Sequence, residues 1–86
     1  MHKLFGEILI EEGKLTREQV DKGLALQKDN PDKKLGEILV TLNFLKYDDI
    51  IDTLMKQYKD VGELPEGVDN WLSQEEIDKI IDNISK

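Results

Sequence analysis

The chain repeats itself. Residues 4–27 and 34–57 align without a gap at an offset of thirty, and seven of the 24 aligned pairs are identical. The identities are Gly6/Gly36, Glu7/Glu37, Ile8/Ile38, Leu9/Leu39, Leu15/Leu45, Leu24/Leu54 and Gln27/Gln57. A repeat of this length is one supersecondary unit that cannot bury its own apolar face, so two copies must pack together. The recurring glycine and glutamine matter most, because an apolar core alone requires neither.

Each copy reads as a pair of helices. Leu4, Phe5, Ile8 and Leu9 recur at helical spacing, and the helix they predict stops at Gly13, where a left-handed residue costs glycine nothing. Thr16 and Gln19 form a capping box that opens a second helix, with Val20, Leu24 and Gln27 along one face. Asn30-Pro31 is a turn signal. The second copy repeats the plan with Leu35, Ile38, Leu39 and Leu42, a stop at Asn43, and a helix carrying Ile50, Ile51, Leu54, Met55 and Tyr58. Lys46 replaces the capping Thr16, so this helix has a looser start, helped by Asp48 and Asp49 at the positive end of its dipole. Burial of Ile8, Leu9, Leu24, Ile38, Leu39 and Leu54 is expected.

Residues 60–70 hold two glycines, one proline and four acids, and read as a linker or a wrap across the surface. Beyond them Ser73 and Glu76 make a capping box, and Leu72 with Ile77 a hydrophobic staple. Ile77, Ile80, Ile81 and Ile84 form the apolar stripe of a fifth helix. No segment alternates with the two-residue period of a strand. The expected fold is therefore all-α: two pseudo-repeated helical hairpins forming a small bundle over 1–59, a 60–70 linker, and a capped C-terminal helix within 71–86.

Eighty-six residues make one domain, close to the lower limit for folding alone. Without cysteine there is no disulfide, thiolate metal site or cysteine nucleophile. No apolar run reaches the roughly 20 residues of a membrane helix, and the N-terminus does not read as a signal peptide, so a cytoplasmic protein without membrane insertion is expected. Of the net charge of −7, residues 58–86 carry −5. One arginine and no basic stripe make nucleic acid a poor partner; the acidic tail suits a basic protein surface instead.

An enzyme finds little support. Phosphate loops, dinucleotide fingerprints, zinc-protease motifs and nucleophile elbows are all missing from the sequence. His2, the only histidine, reads as a terminal bystander, and Glu7 with Glu11, or Glu18 with Asp21, as solvated surface charge. No catalytic residue, metal site or cofactor is expected.

The element LFGEILIEEGKLTREQVDKGLALQ, with KLGEILVTLNFLKYDDIIDTLMKQ after it, resembles the N-terminal domain of the type II secretion and type IV pilus assembly ATPases, whose cyclic-di-GMP-binding form is called MshEN. The resemblance covers residues 4–57, about two-thirds of the chain; the ATPase core has no counterpart here. It implies a regulatory or docking module without enzymatic activity, acting on a protein component of a secretion, pilus or motility system. The alternative it implies is a cyclic-di-GMP sensor, with Gly6, Leu9 and Gln27 of the first copy and Lys34, Gly36, Leu39 and Gln57 of the second as the ligand set. Leu4 stands at the first motif arginine, Phe5 at the leucine after it, and Lys34 at the second arginine. Lys3, next door to Leu4, compensates only if its long stem bends back, so weak or absent nucleotide binding is expected. Read from the residues alone, the two glycines permit close helix crossing and the two glutamines cap the neighbouring unit's backbone.

The tail carries a second resemblance. LSQEEIDKII is similar to the segment of the flagellar motor switch protein that docks on the phosphorylated chemotaxis response regulator, matching at Leu72, Ser73, Gln74, Glu76, Ile77 and Asp78, with Ile80 and Ile81 alike in class. It implies a receiver domain as partner. The competing reading is a plain capped helix, with Trp71 and the apolar stripe folding back to close the bundle.

Overall fold

The computed structural model describes residues 3–84. They form five α-helices and one 3-10 turn: α1 (Phe5–Glu11), α2 (Arg17–Asp29), α3 (Leu35–Thr41), α4 (Tyr47–Val61), the turn Val68–Asn70, and α5 (Gln74–Ile84). There is no strand among the described residues, and the all-α bundle is as the periodicity predicts. The only extended pairing described is an isolated bridge between Leu4 and Glu66.

Local structure recurs at the offset of thirty. α1 and α3 have the same length, and each stops at a left-handed residue, Gly13 at φ 75° and Asn43 at φ 67°. The hydrogen bonds closing those stops also match: Lys14 donates to the Leu9 carbonyl and Phe44 to that of Leu39. The caps differ as their residues require. The Thr16 hydroxyl accepts from the Gln19 amide at 3.1 Å and the Gln19 side chain accepts in return at 3.0 Å. At Lys46 only one half forms, the Asp49 carboxylate accepting from the Lys46 amide at 3.3 Å, because an ammonium group has no acceptor to offer.

The copies interlock. α2 lies against α3 of the other copy, and α4 lies against α1, α3 and α5. Gly23 makes the first crossing possible: a Cβ there would stand 2.7 Å from Leu39 Cδ2 and 3.0 Å from Leu35 Cδ1. The core gathers Phe5, Leu9, Leu35, Leu39, Ile50 and Leu54 with Val68, Trp71, Leu72 and Ile77 from the C-terminal third. Ile8 and Ile38 are buried too.

Leu24 corrects the expectation. Its equivalent Leu54 is fully buried, but Leu24 is 39% exposed. In α2 the closest approach to α3 is made by Gly23, which turns the neighbouring Leu24 to the margin of the contact. A buried Thr53 takes the place of Gly23 in α4.

The boundaries of the linker also move. α4 runs on to Val61, two residues into the expected linker and adding a turn beyond Tyr58. The rest is the surface wrap of the two alternatives: Glu66 accepts from the Phe5 amide at 2.9 Å, and Val68 and Trp71 are buried. The segment beyond it belongs to the same core. Ser73 and Glu76 close their reciprocal cap at 3.2 Å and 3.0 Å, and Leu72 and Ile77 are buried together as a staple requires.

Candidate functional site

Four of the seven residues named as a nucleotide-binding set converge, and what they hold is residues 69–71 of the same chain. A Cβ on Gly6 would stand 3.0 Å from Trp71 Cζ2, and one on Gly36 would stand 2.6 Å from the Trp71 carbonyl oxygen. The Gln27 side chain donates to the Asn70 side-chain oxygen at 3.0 Å and to the Lys33 carbonyl at 3.1 Å. Lys34 donates from Nζ to the Asp69 carbonyl at 2.7 Å. The base of the same segment is tied to Phe5, whose ring meets Trp71 edge to face with centroids 5.5 Å apart.

Each contact uses the property that makes the residue suitable for a ligand. Glycine lets a backbone or ring approach to van der Waals distance. A primary amide donates and accepts at once, and an ammonium group satisfies an exposed carbonyl. Trp71 is the only tryptophan of the chain and is 4% exposed, so its indole is almost wholly withdrawn from solvent.

The other three residues of the set lie elsewhere. Leu9 and Leu39 are fully buried in the helix core. Gln57, equivalent to Gln27 in sequence, opens on a shallow hollow of about 280 Å³ beside Glu12, Leu64 and Pro65. The capping expected of the two glutamines therefore holds for Gln27 alone. Both glycines receive Trp71; Gly36 also faces Ile50 of α4, so close helix approach holds there, while the crossing of α2 and α3 belongs to Gly23. Lys3 does not bend back to replace the arginine missing at Leu4, because its ammonium is engaged with the Glu11 carboxylate at 2.7 Å.

The tail residues divide by face. Leu72, Ile77 and Ile80 are buried, and Ile81 packs half-buried against the core. Gln74 and Asp78 are exposed and hydrogen-bonded to one another at 2.8 Å, while Ser73 and Glu76 are occupied by the cap. Only the polar side of α5 faces outward.

A polar cluster that the sequence did not single out ties α4 to the loop after α1. The buried Thr53 hydroxyl accepts from Lys14 Nζ at 2.7 Å and donates to Glu12 Oε1 at 3.1 Å. Lys14 and Lys56 both lie 3.7 Å from the Glu12 carboxylate. Its only trace in the sequence is a threonine at i+3 from Ile50 on an apolar face. His2 lies outside the described residues. Among those described, no three His, Cys, Asp or Glu side chains come close enough to share a metal ion, and no helix is long and apolar enough to cross a membrane.

Comparison with protein-family models, curated proteins and solved structures finds no match to this chain.

Proposed function

We propose that this chain is a non-enzymatic protein-interaction module, acting in the cytoplasm by docking on a component of a secretion, pilus or motility system. The observation that carries this reading is the contact of residues 69–71 with Gly6, Gly36, Gln27 and Lys34. Groups that could grip a dinucleotide are spent on the chain's own backbone, and the fork of a motif arginine is missing at both Leu4 and Lys34. The surface left for a partner is that of the helices. On α5 it is the acidic outer side with Gln74 and Asp78, the part of the receiver-docking resemblance that stays accessible without unpacking Ile77.

Cyclic-di-GMP sensing is the second reading, favoured by the convergence of those four residues at one place. A dinucleotide would have to displace Trp71, Asn70 and Asp69 to reach them. A thermal-shift titration separates the two, because a ligand that binds only the folded state raises the melting temperature by mass action. The interaction module leaves the melting temperature unchanged with cyclic-di-GMP; a rise that grows with nucleotide concentration contradicts it.

A further inference from the structure

The repeat allows one groove to be read against its counterpart. In the second copy, the space between α3 and α4 is closed by the chain itself: the Trp71 carbonyl sits against Gly36, and α5 is laid along α4. Ile50 and Leu54 are fully buried there. In the first copy, the space between α1 and α2 receives the edge of the Trp71 indole at Gly6, with Glu66 and Asn70 at its rim, and no helix is laid over it among the described residues. A cavity of about 200 Å³ remains, floored by Phe5, Val20, Leu35 and Trp71. Leu24 and Leu4 stand at its mouth, 39% and 47% exposed. The chain thus displays what closes a groove of this kind: an apolar corner running into an amphipathic helix.

Charges of both signs surround the cavity: Arg17, Glu7 and Glu66 line it, and Lys28 lies beyond it along α2. Arg17 and Lys28 lie seven and four residues from Leu24 and share its face of α2. Glu7 and Glu66 stand on the opposite side. Arg17 makes no ion pair among the described residues. A helix lying in the groove would meet cations along one flank and carboxylates along the other.

We propose that the groove between α1 and α2 docks one amphipathic helix of a partner protein, which inserts a large apolar side chain beside Leu24, sets carboxylates against Arg17 and Lys28, and sets basic residues against Glu7 and Glu66. The proposal rests on the interaction-module reading and names its surface. A single buried apolar anchor with a polar rim is the usual source of affinity in such contacts.

The test is a 15N NMR titration of the full chain with a synthetic helical peptide bearing a leucine stripe, glutamates on one flank and lysines on the other. The expected result is shifts at Leu4, Ile10, Val20, Leu24 and the Trp71 indole, and none with the same peptide carrying alanine for leucine. Leu24→Ser and Arg17→Glu, both at exposed or rim positions, should each weaken binding about tenfold or more. No shifts, equal shifts with the alanine peptide, or shifts confined to α5 overturn the proposal. Self-association of the chain lost in Leu24→Ser assigns the groove to a second copy and overturns it as well. None of these outcomes alters the melting temperature with cyclic-di-GMP, so the groove and the module reading fail separately.

Discussion

The carbonyl oxygen of Trp71 stands 2.6 Å from where a Cβ would sit on Gly36. Its indole stands 3.0 Å from the same point on Gly6. Two glycines thirty residues apart thus serve one residue, the first admitting its ring and the second its backbone. That is a structural use for positions whose recurrence a helical core does not explain.

The two contacts predict different costs. A backbone carbonyl fixed at the entry to α5 cannot give way, and Ile50 Cδ1 lies 3.1 Å from the same Cβ position. Gly36→Ala should therefore destabilise by about 1–3 kcal/mol, overpacking outweighing the helix propensity gained. The ring at Gly6 needs a shift of only tenths of an ångström, and Gly6→Ala should stay within about 1 kcal/mol of wild type. Urea denaturation of the two variants checks the order; equal losses would contradict it.

Leu24 and Leu54 are identical in sequence and opposite in burial. Leu54→Ala should cost about 2–5 kcal/mol, as full removal of a core side chain does. Leu24→Ala should cost about 1 kcal/mol or less, since the side chain is already part-exposed. Thermal melts of the pair decide whether the copies are packed as unequally as described.

The fold was legible because its signals are local. Helix spacing, the Thr16 and Ser73 capping boxes, and the Gly13 and Asn43 stops each depend on residues within a turn of one another. What the sequence left open depends on who packs against whom. Leu24 and Leu54 share a periodicity, so pattern alone predicts burial for both; α5 packs against α4 in one copy, and no equivalent helix is laid on α2 among the described residues. The link from Gln27 to Asn70 spans 43 residues, and no local signal announces it. Trp71 was legible as a lid, but not as the residue that both repeat glycines receive.

Thr53 predicts a polar coupling inside the bundle. Thr53→Val keeps the shape but removes the acceptor for Lys14 and the donor to Glu12, with an expected cost of about 1–3 kcal/mol. In a Lys14→Met background the same change should cost less, with a coupling of about 0.5–3 kcal/mol. A double-mutant cycle with no coupling would show that the cluster is only a surface contact.

The cap of α5 predicts a smaller effect. Ser73→Ala removes the acceptor for the Glu76 amide, 3.2 Å away, and should cost about 1 kcal/mol. Because α5 packs into the common core, the loss should appear as a lower melting temperature of the whole domain. A separate, earlier transition for the tail would contradict its place in the bundle.

Trp71 and its neighbours fill the place where Gly6, Gly36, Gln27 and Lys34 converge, and the single tryptophan of the chain reports on it directly. The direct measurement is Trp71 fluorescence, with a soluble quencher and then with cyclic-di-GMP added. Blue-shifted emission protected from the quencher is expected, as for an indole packed against Phe5 and Gly6, with no change on adding nucleotide. Emission like that of free tryptophan, or a shift towards it as cyclic-di-GMP displaces the ring, would contradict the account.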